Sequence, residues 1–247
     1  MGPEVVLSHL HRADGSATYT HNGYCVIGSV NGPIEVLRKD EQPEEATVEV
    51  NVRPAAGVGS PKERHLETLL HNTLRSIILT RSIPRTLVQI TLQIRSLPEE
   101  DSVLGVNTSL TLLPHLLNTS LLALLSASIP LSTILTSVLI AIPSSKNAIP
   151  LLSPTAKDLL RAKPLRSLHV FAFSGDRKLL LNESYGSFGY EEWDDACEMA
   201  EEVCCKEGGV ELSEGMEVEG QQGNLEEWLR QVVKRKVERE QRWRTAD

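Results

Sequence analysis

Cationic side chains are the residues of this sequence with the clearest chemical use. Arg53, Lys62, Arg64, Arg81 and Arg85 bracket one predicted helix. Cations of this kind bind phosphate, and the free N–H groups at a helix start add to the effect. Arg53, Lys62 and Arg64 stand at the start of that helix, and Arg81 and Arg85 beyond its end. A helix of about 18 residues sets the two groups roughly 27 Å apart, so one patch cannot use both. A solvated charged face with salt bridges is the competing reading for each residue. The other reactive types are scattered. Gly57-x-Gly59 lies in a turn-then-helix setting, but the third Gly and the Lys of a Walker A loop are missing. No HExxH, paired CxxC or Gly-x-Ser-x-Gly is present. His9 and His11 alternate in a segment that reads as a mobile N-terminal tail. His65 and His71 fall on the surface of a charged helix. His115 and His169 lie in apolar surroundings, which suit hydrogen-bonded core histidines better than catalytic bases. Cys25, Cys197, Cys204 and Cys205 are too few for a disulfide framework and wrongly spaced for a redox or zinc site, so they read as reduced thiols. No metal or cofactor is expected.

These residues need elements to hold them. Ser16–His21 and Tyr24–Val30 flank Asn22-Gly23, the strongest short hairpin signal. A strand follows at about Ala46–Arg53, with Val48, Val50 and Val52 on one face and Glu49, Asn51 and Arg53 on the other. Ser60-Pro61-Lys62-Glu63 combines a Ser N-cap, a Pro at the first helical position and a Glu at the third. Leu66, Leu69, Leu70, Leu74, Ile77 and Ile78 then form one apolar stripe, which Arg81 and Pro84 end. Thr86–Ile94 alternates as a strand. A helix is expected at about Ser109–Ser128 and a strand at Leu131–Ile142. Pro150–Leu160 reads as irregular or a short helix. Strands follow at Arg166–Ser174 and Leu179–Asn182, then helices at Glu191–Lys206 and Leu225–Arg244. The Gly/Glu-rich stretch between those helices reads as disordered.

The 247 residues suffice for a substantial core, and aromatics are only 4 %, so aliphatic side chains must fill it. The formal charge of -8 excludes a uniformly basic nucleic-acid coat but not a local basic groove. Residues 185–247 hold 17 acids and 8 bases, so the acidity is C-terminal and the body is near neutral. Ser102–Ser145 carries no charge, yet Pro114, His115, Asn118 and Pro130 interrupt it. It reads as a buried helix and strand, not a membrane span. No signal peptide is visible at the start, and Lys234-Arg-Lys236 reads as a solvated helix end.

Several short stretches stand in a telling order. They are Arg12-Ala-Asp-Gly-Ser16, Gly28-Ser-Val-Asn-Gly-Pro-Ile34, Val52-Arg-Pro-Ala-Ala-Gly57 and Ile83-Pro-Arg-Thr-Leu-Val-Gln-Ile90. A long Ala/Leu helix ending in Ser-Ala-Ser-Ile-Pro130 completes them. Over about residues 5–206 this order resembles the RNase PH family, and in particular the non-catalytic RNase PH-like ring subunits of the eukaryotic RNA exosome. The resemblance implies an α+β fold of the ribosomal protein S5 domain 2 type, a mixed sheet packed on helices. The division expected is an RNase PH-like domain over 1–206, an acidic disordered insertion over 207–223 and a C-terminal helix over 224–247.

Active members of the family bind phosphate with an Arg/Thr/Ser-rich loop at the start of the long helix and use nearby acids for metal-assisted phosphorolysis. Here that segment reads Leu104-Gly-Val-Asn-Thr-Ser109, without arginine, and Ser153-Pro-Thr155 stands where the family has an acid before Pro-Thr. Asp158 is near but lacks a partner, so the resemblance implies that phosphorolysis is absent. The role implied is a structural subunit beside other RNase PH-like subunits and cap proteins, with RNA passing through a central channel. No membrane and no small-molecule substrate are expected. Arg53, Lys62, Arg64 and Arg85 are the candidate RNA contacts. The alternative is a degenerate phosphorolytic exoribonuclease or homodimeric nuclease, with Asp158 and Asp176 as candidate acids. Residence in the nucleus, nucleolus and cytoplasm follows from the resemblance alone.

Overall fold

The computed structural model describes residues 2–100, 108–144, 150–205 and 225–244. Asn22 and Gly23 both have positive φ, as a tight hairpin turn requires, and they join β2 (Gly15–His21) to β3 (Tyr24–Glu35). β1 (Glu4–Leu7) pairs with the outer edge of β2, and β5 (Thr86–Ser96) pairs with β3. β4 (Thr47–Arg53) runs parallel to β5, and α1 (Pro61–Ile77) makes the crossover that parallel neighbours need. The result is a five-stranded mixed sheet in the order β1-β2-β3-β5-β4. Its register sets Ala17 and Tyr19, Val26 and Val30, Ile90 and Leu92, and Val50 and Val52 on one buried face. Thr18, Ser29, Thr91 and Asn51 share the opposite, more accessible face.

A second sheet, antiparallel throughout, has the order β7-β6-β8-β9. Its strands are β6 (Leu135–Pro143), β7 (Leu151–Leu152), β8 (Leu165–Ser174) and β9 (Leu179–Gly186). α2 (Thr108–Ser126) lies between the two sheets, which explains why it is apolar on nearly every side. α4 (Tyr190–Cys204) covers the far face of β6 and β8 with Ala196, Ala200 and Cys204 against Val138, Phe171 and Phe173. β6 is therefore buried on both faces. The uncharged stretch is thus a core helix and strand, with the window Ser109–Ser126 94 % buried inside the protein. A short α3 (Ala156–Arg161) and a final α5 (Leu225–Glu240) complete the chain, and Leu229 of α5 enters the main core.

Most expected elements stand within a few residues of their predicted bounds. The strand expected from Leu131 begins at Leu135, because 131–134 turns the chain back and Leu131 makes only an isolated bridge to Ile78. Pro150–Leu160 is a two-residue strand followed by α3. The N-terminal segment is not a free tail: β1 is a sheet edge, and both ring nitrogens of His9 lie within 3.2–3.4 Å of Thr18 Oγ1. The stretch expected to be disordered, 207–223, lies outside the described residues.

Candidate functional site

Arg53 ends β4, and a seven-residue loop carries the chain into the capped start of α1. Ser60 Oγ accepts from Lys62 N, and the Glu63 carboxylate accepts from Ser60 N at 2.7 Å, so the predicted capping box forms. The Ser60 hydroxyl holds the Glu63 carboxyl below its ordinary range, and Lys62 adds to the effect. Glu67 ties helix to strand by accepting from Val52 N at 2.9 Å, and its other oxygen pairs with Arg64 at 3.0 Å. Arg53 and Lys62 are exposed and have no ion pair among the described residues, whereas Arg64 is partly neutralised by Glu67. Arg95, which the sequence reading passed over, belongs with them. Arg53 pairs with Gln93, and Arg95 lies two residues further along β5 on the same exposed face. The signal for it was the strand alternation itself, Gln93 and Arg95 sharing a face.

Arg85 does not join this group. It follows the far end of α1, in a positive-φ conformation beside the start of β5, 3.7 Å from Glu41. β4 and α1 both run their full length between it and Arg53. The four candidate RNA contacts are therefore three residues at one end of the sheet and one at the other.

The start of α2, where the resemblance puts phosphate, opens on a cleft of about 60 Å³. Its polar lining includes His65, Ser109, Glu183 and Ser184, with no arginine among the described residues. A carboxylate such as Glu183 repels an anion rather than binding it. The segment 104–107 that precedes this helix lies outside the described residues. Asp158 is occupied in capping α3: its Oδ2 accepts from Thr155 N at 3.2 Å and Thr155 Oγ1 at 2.6 Å. Those bonds hold its carboxyl below the ordinary range. Asp176 sits in the turn after β8, and Asp158 lies in α3, before that strand. Among the described residues no three His, Cys, Asp or Glu side chains gather to hold a metal ion.

A cavity of about 290 Å³ lies where the β2–β3 hairpin, α2, β6 and α5 meet. His115 stacks on Tyr24 with ring centroids 4.6 Å apart, and His21 and Tyr19 lie at 5.7 and 5.9 Å. Burial pushes the His115 imidazole down to about 3, so the ring is neutral. Its Nδ1 has no hydrogen-bond partner among the described residues, which corrects the expectation of a satisfied core histidine. His169 fulfils that expectation, with Nδ1 at 2.8 Å from Ser184 Oγ and Nε2 at 2.9 Å from Ser167 Oγ. All four cysteines are free, and burial raises Cys204 to about 12 and Cys205 to about 11, so these two thiols are inert.

Comparison with known proteins places this arrangement. Residues 4–130 match the RNase PH family, described as 3′ exoribonuclease family, domain 1. The chain is 32 % identical over 207 residues to exosome complex component RRP46 of Saccharomyces cerevisiae, covering 83 % of this chain and 91 % of that one. Exosome complex component rrp46 of Schizosaccharomyces pombe is 39 % identical over 125 residues, 51 % of each chain. The crystal structure of rice (Oryza sativa) Rrp46 superposes with a TM-score of 0.68 at 25 % identity, over 80 % of this chain and 86 % of that one. An archaeal exosome core chain shares the fold with a TM-score of 0.61 at 14 % identity, over 81 % and 82 % of the two chains.

Proposed function

Since the chain belongs to the RNase PH family, we propose that it is a structural, non-catalytic subunit of an RNA exosome ring, serving 3′–5′ RNA processing and decay. The observation that carries this reading is the likeness to an exosome component over nine-tenths of that relative's length. The partners are other RNase PH-like subunits and the cap proteins of the ring. RNA is the molecule handled, and maturation of ribosomal RNA and RNA surveillance are the processes served. Residence in the nucleus, nucleolus and cytoplasm belongs to the same proposal.

Absence of catalysis rests on charge. Phosphorolysis needs cations or several N–H donors around phosphate in a desolvated site. The described part of the cleft at the start of α2 offers a histidine, hydroxyls and a carboxylate. The acid nearest the family's catalytic position, Asp158, is spent on a helix cap. RNA contact falls to Arg53, Lys62 and Arg64, joined by Arg95, with Arg85 a separate contact at the other end of the sheet. Such contacts are electrostatic, independent of sequence and weakened by salt.

The test is the native mass and protein composition of the tagged full chain purified from its own cells. A particle of several hundred kilodaltons containing other RNase PH-like proteins is expected. A free monomer or homodimer rejects the ring reading. Release of nucleotides from single-stranded RNA by the isolated chain, with phosphate or a divalent metal present, rejects the non-catalytic one.

A further inference from the structure

The protein carries a formal charge of -8, yet residues 234–244 hold six bases and two acids. The two acids are matched within α5: Lys234 pairs with Glu238 at 3.9 Å and Lys236 with Glu240 at 3.6 Å. Arg235 and Arg239, one turn apart on the same helix face, are exposed and have no ion pair among the described residues. The helix then tightens into a 3₁₀ turn, Arg242–Arg244, with Trp243 at its centre. That indole is 72 % exposed, and the Arg244 guanidinium lies over it at 5.1 Å from the ring centroid.

This stripe is fixed to the body of the protein. Lys236 Nζ donates to Ser126 O at 2.8 Å and to Ser126 Oγ at 2.9 Å, and its side chain is only 10 % exposed. Ser126 ends α2, whose last turn has no basic residue of its own. Lys236 thus supplies, from another element, the cation that a helix C-terminus favours. Ser126 Oγ also lies 3.1 Å from Ser8 Oγ, which anchors the loop carrying exposed Arg12 to the same point.

We propose that the C-terminal end of α5 is a second RNA-binding surface, where Arg235 and Arg239 hold phosphates of a single strand and Trp243 with Arg244 stacks on a base. The proposal rests on the exosome-subunit reading above and extends it to a face remote in sequence from Arg53 and Lys62. Guanidinium groups with an exposed indole are what a single strand recruits without regard to sequence. A membrane is the less suitable occupant. Leu229, Trp228, Val232 and Val233 of α5 already pack against the core, and Val237 alone among its large apolar residues is exposed, too little for an apolar stripe to insert.

The experiment measures binding of a labelled 20-mer of oligouridylate to the full chain by fluorescence anisotropy, over a potassium chloride series. Arg235→Glu/Arg239→Glu should weaken binding at least tenfold and flatten the log–log salt slope by roughly 1.4, the share of two phosphates on a single strand. Trp243→Ala should weaken it about tenfold with the slope unchanged. Arg161→Glu/Lys163→Glu makes the same change in net charge elsewhere and should have a smaller effect. Affinity untouched by the α5 variants, or an equal loss in the charge control, overturns the proposal. So does tighter binding of the wild-type chain to phosphatidylserine vesicles than to RNA, if the same variants abolish it. Native mass of the variants, taken in parallel, separates the two readings. Normal RNA binding by a chain that enters no ring rejects the subunit role, while a normal ring with unchanged RNA affinity rejects only this surface.

Discussion

His115 shows how a single buried ring couples stability to pH. Its folded form is neutral down to about pH 3, whereas the unfolded ring takes up a proton near 6.5. Between those values the unfolded chain binds more protons, so stability falls as pH drops. This residue contributes at most about 1.4 kcal/mol per pH unit in that window. Burial lowers His21 and His169 as well, and their effects have the same sign. Urea midpoints measured from pH 7 to 4.5 should fall steadily, and His115→Phe should remove about one proton's worth of slope. At pH 7 that variant should be neutral or stabilising, because it deletes a nitrogen with no partner among the described residues and keeps the stack on Tyr24. A slope identical to wild type would place the acid sensitivity elsewhere. Asn118 is the opposite case. Its amide donates to Ser137 O and accepts from Ser137 N, both at 3.1 Å, closing the stretch of β6 edge that β7 does not reach. Asn118→Ala leaves both buried backbone groups unmatched. A loss of about 2–4 kcal/mol is expected in urea unfolding at pH 7.

Between elements, α2 fits closely against β2. A Cβ on Gly15 would stand 2.2 Å from Ala127 N and 2.6 Å from Ala123 O, both backbone atoms that no side-chain rotation can move aside. Gly15→Ala should therefore cost at least about 3 kcal/mol or prevent folding. A Tm within two degrees of wild type would contradict this packing. That contact also shows where sequence reading ends. The hairpin turn, the capping box of α1 and the alternation of β4 and β5 are local patterns, and each was legible residue by residue. β1 was missed because a four-residue edge strand has no periodicity to speak of. The second sheet was visible as strands but not as a sheet, since pairing β6 with β8 depends on α2 filling the space between the layers. The candidate site divides in the same way. Arg53, Lys62 and Arg64 are brought together by one short loop, so sequence proximity sufficed. Arg95 comes from β5 through parallel pairing, and Arg85 is removed from the group by the length of α1. Asp158 looked like a free acid beside Pro-Thr, and only the fold shows its carboxylate turned back onto Thr155.

At the scale of the whole molecule, charge is unevenly distributed. The acids of the C-terminal quarter give the protein its net -8, while Arg53, Lys62 and Arg64 stand exposed between the end of β4 and the start of α1. A ring subunit has two kinds of surface to provide. Its body must pack against neighbouring proteins through shape and apolar contact, and its RNA-facing edge must offer cations that no neighbour neutralises. Arg53 and Lys62 meet that requirement more fully than Arg64, whose guanidinium is already paired with Glu67. Both side chains are exposed and make none of the contacts that hold α1 to β4, a task that falls to Glu67 and Val52. Their reversal should leave folding and assembly intact. Arg53→Glu/Lys62→Glu is expected to enter the ring with wild-type native mass, to slow degradation of long single-stranded RNA by the assembled complex several-fold, and to make that degradation less sensitive to salt. Arg85→Glu, at the opposite end of the sheet, should change RNA degradation less at the same salt. Loss of the ring in the double variant would show that these two residues face a neighbouring subunit, and equal effects of both variants would show that long-range charge, not a local contact, governs the RNA path.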